Sequence, residues 1–207
     1  MHRPCSSIVC VLILLLAAGC STSQPVQYFT LSPMGLEGGM AVTTGVPPLR
    51  VAMVSVPDYL DRHHLVTRTS PATVTVAEFA YWAGSLDDEV TRVLAANLAA
   101  RLGADKVTGP ETVRPPGSSV IETTIVRFEP WRDGHVELVA RWTIRDKAGA
   151  VLASTNDTCY SVNSAGTSPA DAVAAMSSAS SALCRDIAAA YMAAAGDKAR
   201  ERRSGAR

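Results

Sequence analysis

Between Val120 and Val162 the chain reads as three successive strands, and this stretch limits the fold more than any other. The runs are Val120–Glu129, Val136–Arg145 and Val151–Val162, separated by the turn signals Asp133-Gly134 and Lys147-Ala148-Gly149. The middle run alternates cleanly. Val136, Leu138, Ala140, Trp142 and Ile144 fall on one face, and Glu137, Arg141, Thr143 and Arg145 on the other. Side chains alternate across a strand with period two, so one face of this antiparallel meander is packed and the other largely solvated. A sheet apolar on one side needs a cover.

Two amphipathic helices supply it. Leu86, Val90, Val93, Leu94, Leu98 and Leu102 fall on one stripe at steps of three and four, which predicts a helix over 86–102. Ser85 stands at the N-cap, Asp87, Asp88 and Glu89 complement the positive dipole end, and Gly103 follows the last turn. A second helix opens at Ser168-Pro169. Its seam is Val173, Met176, Ser180, Leu183, Ile187, Tyr191 and Ala194, and Gly196 is expected to end it. Gln27–Leu31 reads as a first strand, 33–48 as a loop, and Leu49–Val56 as a strand buried on both faces. Leu65–Arg68 and Thr73–Val76 form a hairpin around Ser70-Pro71. Strands, helix, three antiparallel strands and helix predict an α+β two-layer sandwich. Its mixed or antiparallel sheet carries both helices on one face.

The N-terminus carries something else. An apolar run from Ile8 to Ala18 follows His2, Arg3 and Pro4. As a helix it would span about 16 Å against a hydrocarbon core of roughly 30 Å, too short to cross stably but the length of a secretory signal core. Leu16-Ala17-Ala18-Gly19-Cys20 resembles a bacterial lipobox, with Ala17 where an aliphatic residue is usual. Residues 1–19 are then a signal peptide and Cys20 is the lipid attachment point; the alternative is an ordinary signal cut at a small-residue site. Ser21, where Asp would be the inner-membrane retention signal, directs the expectation to the periplasmic face of the outer membrane. Residues 20–27 form a short tether, 28–196 one domain, and 197–207 a basic tail expected to be disordered. Tyr28 lies eight residues after Cys20, a reach of at most about 28 Å fully extended.

Charge and motifs exclude more than they assign. Lys+Arg and Asp+Glu both number 19, so the chain lacks the cationic excess that nucleic-acid binding requires. The balance is uneven: residues 20–196 carry −4 and residues 197–207 carry +3. No Gly-x-Ser-x-Gly elbow or phosphate loop occurs, and His63 and His64, being adjacent, would point to opposite faces of a strand. Neither an enzyme, a cofactor nor a metal site is expected. Cys159 and Cys184 form a disulfide, confering roughly 3 kcal/mol by closing a loop of about 25 residues, or remain buried free thiols.

Several motifs carry a family likeness. Val56-Pro57-Asp58-Tyr59-Leu60-Asp61-Arg62, then Leu65-Val66-Thr67-Arg68, together with Trp82-Ala83, Ser85-Leu86-Asp87 and Val90-Thr91-Arg92-Val93-Leu94, resemble the ABC-type transport auxiliary lipoproteins (the PqiC/YmbA-like lipoproteins). The resemblance implies a non-enzymatic outer-membrane lipoprotein of an intermembrane lipid transport system, whose partner is a periplasmic protein with MCE domains. Within it, Asp58, Tyr59, Leu60, Asp61, Arg62 and Trp82 are the candidate partner contacts, with Tyr59, Leu60 and Trp82 alternatively part of the core. A homo-oligomeric collar would suit the role. A lipid carrier with an internal cavity is the alternative.

Overall fold

The computed structural model describes residues 24–34 and 46–204. The expected signal peptide over 1–19 and Cys20 lie outside the described residues. The elements are β1 (Gln27–Phe29), β2 (Leu49–Val51), β3 (His64–Ser70), β4 (Thr73–Trp82), α1 (Leu86–Leu102), β5 (Val107–Thr108), β6 (Ser119–Pro130), β7 (His135–Arg145), β8 (Val151–Asn163) and α2 (Pro169–Ser204). The chain is α+β, as the periodicities require.

The strands divide between two sheets. A five-stranded sheet has the order β5-β2-β6-β7-β8, and a three-stranded sheet the order β1-β4-β3. The expected meander is β6–β7–β8, antiparallel throughout. Gly134 turns it with φ 92°, a conformation costly for residues bearing a Cβ. β2 runs parallel to both β5 and β6. It is shorter than Leu49–Val56 because only three residues hold the ladder; the chain then departs and touches β6 again at Ser55–Thr124. The sheets meet at one corner, where Arg68 bridges Trp131 in parallel and the Arg132 amide donates to the Arg68 carbonyl at 2.9 Å.

Both helices cover the inner face of the larger sheet. Ile121, Ile125, Phe128, Leu138, Ala140 and Ile144 meet the α1 stripe and the α2 residues Met176, Ala179, Leu183, Ile187 and Tyr191, all buried. Alanine and serine on α2 permit close approach; Arg101 of α1 donates to the Ser181 hydroxyl at 2.9 Å. Strand β6 changes parity midway. A bulge between Ile125 and Arg127 sends Phe128 inward opposite Leu138, and Glu129 outward opposite Glu137.

α2 does not end at Gly196. It continues to Ser204, so the tail expected to be disordered is helical over 197–204, while 205–207 lie outside the described residues. One glycine costs a helix about 1 kcal/mol relative to alanine, and neighbouring alanines with a tertiary anchor offset that. The anchor is Lys198, whose ammonium pairs with Asp146 in the β7–β8 turn. Lys198 and Arg200 also complement the negative dipole end of the helix. Among the described residues no helix is long and apolar enough to cross a membrane.

Candidate functional site

The Asp58–Arg62 segment forms a tight loop between β2 and β3. The Pro57 carbonyl accepts from the Leu60 amide at 2.9 Å and the Asp61 amide at 3.2 Å. That turn folds Leu60 back into the core, leaving it 3% exposed, and leaves Asp58, Asp61 and Arg62 in solvent. Leu60 is therefore a packing residue rather than a contact. Trp82 is likewise buried, at 4% exposed, in register with Phe29 of β1 and with its amide on the His63 carbonyl. The surface that the sequence proposed thus reduces to three charged side chains.

Beneath the loop lies a polar cluster that sequence patterning missed. Tyr59 is half-buried and its hydroxyl donates to Glu129 Oε2 at 2.8 Å. Glu129 has no exposed surface. Its Oε1 accepts from Arg68 Nε at 2.5 Å, and its Oε2 also accepts from the Phe128 amide at 3.0 Å. Arg68 donates further to the Pro71 carbonyl at 3.0 Å, and its guanidinium lies near the Tyr59 and Trp131 rings. Arg68 belongs to β3 and Glu129 to β6, so the cluster ties one sheet to the other and holds the loop on the joint. Burial, then the hydrogen bond to Glu129, pushes the Tyr59 hydroxyl up to about 12. Burial alone would lower the Arg68 pKa; the bond and charge of Glu129 outweigh it, and the net direction is upward.

A second network sits beside it on the outer face. Glu137 accepts from Arg127 at 2.7 Å and from the Trp131 indole at 3.1 Å, and Trp131 stacks on His135 at 5.2 Å between centroids. Burial opposes ionisation of Glu137, but these bonds outweigh it and hold the carboxyl below its ordinary value. Cys159 donates its thiol to this carboxylate at 3.5 Å. Cys184, in contrast, is buried under the sheet's other face, directed at the Leu94 carbonyl of α1. Both are free thiols, because Cys159 shares the outward row of its register partner Val139 while Cys184 belongs to the helical layer. The expected disulfide is absent, and Cys159 is exposed rather than buried.

No acid–base constellation accompanies these groups. Among the described residues no cluster of three or more His, Cys, Asp or Glu is poised to hold a metal. His64 instead lies against the Tyr81 ring. Among the described residues, surface clefts of about 250, 380 and 330 Å³ flank the helices. The first lies between Leu65, Ala77, Trp131 and Ser168; the second between Met53, Glu89, Arg92 and Pro110; the third between Phe29, Met34, Val173 and Ser177. What the region around the loop can do chemically is present charge on a rigid joint.

Known proteins bear on this arrangement. Residues 29–188 match the model of the ABC-type transport auxiliary lipoprotein component family. The intermembrane transport lipoproteins PqiC of Escherichia coli (strain K12) and of Shigella flexneri are each 29% identical over 130 residues, covering 61% of this chain and 67% of theirs. In architecture the chain is similar to the crystal structure of an uncharacterized protein, with a TM-score of 0.66, 21% identity, and coverage of 80% of this chain and 97% of that one. It is also similar to a protein from Xanthomonas campestris, with a TM-score of 0.63, 15% identity, and coverage of 84% and 99%. The family match takes in the loop, the Tyr59–Arg68–Glu129 joint and most of both helices, and the chain belongs to the ABC-type transport auxiliary lipoprotein family.

Proposed function

We propose that this chain is an outer-membrane-anchored, non-enzymatic docking component of an MCE/ABC-type intermembrane lipid transport system. The observation that carries the reading is the family match over 29–188, joined to relatives named as intermembrane transport lipoproteins. The lipobox-like Leu16–Cys20 supports the anchor at Cys20, and Ser21 supports the outer membrane. A domain tethered within about 28 Å of its anchor acts at the membrane surface, so a longer periplasmic partner must bridge the gap.

The geometry favours docking over lipid carriage. The space between the helices and the larger sheet is filled by packed side chains. The surface clefts, at 250 to 380 Å³, sit at or below the small end of the ~300–1,000 Å³ range of drug-sized ligand sites, well short of a two-chain phospholipid. Asp58, Asp61 and Arg62 are exposed on a loop braced by the buried corner, an arrangement suited to charge complementarity with a partner. The test is co-purification with the MCE-domain protein from detergent-solubilised membranes. Reversing all three charges (D58R/D61R/R62E) should leave the fold intact and weaken capture. Undiminished capture by that variant removes the loop from the interface.

A further inference from the structure

We propose that the aromatic row Tyr28–Tyr81–His64, with Val26 beside it, is the surface on which the folded domain rests against the headgroup region of the bilayer. The proposal deepens the functional reading above and rests on the anchor at Cys20. The three side chains belong to the three strands of the smaller sheet and share one register row, Tyr28 opposite Tyr81 and His64 opposite Tyr81. Their rings lie 5.7 and 4.3 Å apart between centroids. The next row, Phe29 opposite Trp82, turns inward, with Trp82 in the core. Alternation therefore points the Tyr28 row outward. Tyr28 is 69% exposed and Val26 48%, and the half-buried Tyr81 and His64 rings back them, so the row offers a preformed aromatic and apolar ledge.

Position selects the occupant. The strip includes Tyr28 of the first strand, eight residues after Cys20 in sequence. It is thus the part of the domain that the tether holds nearest the acyl chains. Tyrosine, with an apolar ring and a polar tip, is favoured where one end of a side chain is dry and the other wet. The adjoining loop, joined to the row through the bond from the Trp82 amide to the His63 carbonyl, carries Asp58 and Asp61 as well as Arg62. With mixed charges nearby, contact depends on aromatic area rather than on attraction to anionic lipid, and salt should weaken it little.

The test reconstitutes the mature lipoprotein, carrying Cys159→Ser, into phosphatidylcholine vesicles containing a headgroup-nitroxide lipid. A fluorophore is placed through Tyr28→Cys or, as reference, Val151→Cys. Val151 is 53% exposed and opens β8 beside Asp146, the partner of Lys198. From Lys198, α2 runs about 31 Å back to Ser177, whose hydroxyl accepts from the Ser32 amide near the row. The label at 28 should lose most of its emission and the label at 151 retain it. A label placed by Val26→Cys should lose its quenching when Tyr28→Ser and Tyr81→Ser are added. Equal quenching at 28 and 151, or none at 28, overturns the proposal. Should the protein fail to float with vesicles, the anchor reading fails instead. The same comparison then runs on the chain held by an N-terminal histidine tag to nickel-chelating lipid, where an unquenched label at 28 still refutes the row.

Discussion

Replacing Arg68 with methionine should destabilise the domain far more than removing a surface charge. Glu129 has no exposed surface, and Arg68, whose side chain is 11% exposed, is its ion-pair partner. In Arg68→Met the carboxylate keeps the Tyr59 hydroxyl and the Phe128 amide but loses the opposite charge. Breaking a buried pair from one side costs about 3–5 kcal/mol, against roughly 0–1 kcal/mol for an exposed pair. For a domain of this size that lowers Tm by about 6–20 °C. Urea unfolding of the purified domain reads the loss as a shifted midpoint at unchanged slope. Glu129→Leu on the same background removes the stranded charge, so the double variant should recover much of the loss. If Arg68→Met costs less than about 1 kcal/mol, water reaches Glu129 and the joint between the sheets does not depend on this pair.

Other perturbations follow from the same structure. The raised Tyr59 pKa means that the unfolded chain loses this proton near pH 10 while the folded one holds it to about 12. Stability is therefore full below pH 10 and falls through that window, and Tyr59→Phe should flatten the fall in alkaline urea titrations. Glu137 has the opposite sign: its depressed pKa contributes stability above the ordinary glutamate value that is lost as pH falls, and Glu137→Gln should shallow that acid limb. A maleimide reagent should label Cys159 in the native protein and Cys184 only in denaturant without reductant, as read by intact mass. Leu98→Ala, at a position with no exposed surface facing the sheet, should cost about 2–5 kcal/mol in the same urea assay.

How much of this was legible in the chain depended on the range of the forces involved. α1 begins and ends where its stripe does, because stripe, acidic first turn and Gly103 are local signals. Even there the cap differs: the Ser85 hydroxyl donates to Asp88 at 2.8 Å and makes no bond to the helix backbone. The meander was equally readable, since alternation and turn glycines sit within a few residues of one another. Glu129 was not. On a strand read as half-solvated it is one more outward carboxylate, and its partners Tyr59 and Arg68 lie 70 and 61 residues away. Its neighbours Phe128, Pro130 and Trp131 were the only sequence hint that this outward position is covered. The division into two sheets escaped for the same reason, because β1 pairs with β4 and β2 with β6 across long stretches of chain, and the sheets touch at one long-range bridge between Arg68 and Trp131. For Trp82 and Leu60 the sequence left contact and core both open, and their burial decides for core.

Docking as proposed requires the exposed loop above this joint to meet a periplasmic transport partner. Photocrosslinking in intact cells reads that contact, with a benzophenone amino acid in place of Asp61 and mass spectrometry of the adduct. An adduct with the MCE-domain protein is expected, lost when the reporter is moved to Val113. An MCE adduct at 113 but not at 61, or none at either position while the partner is expressed, would contradict it.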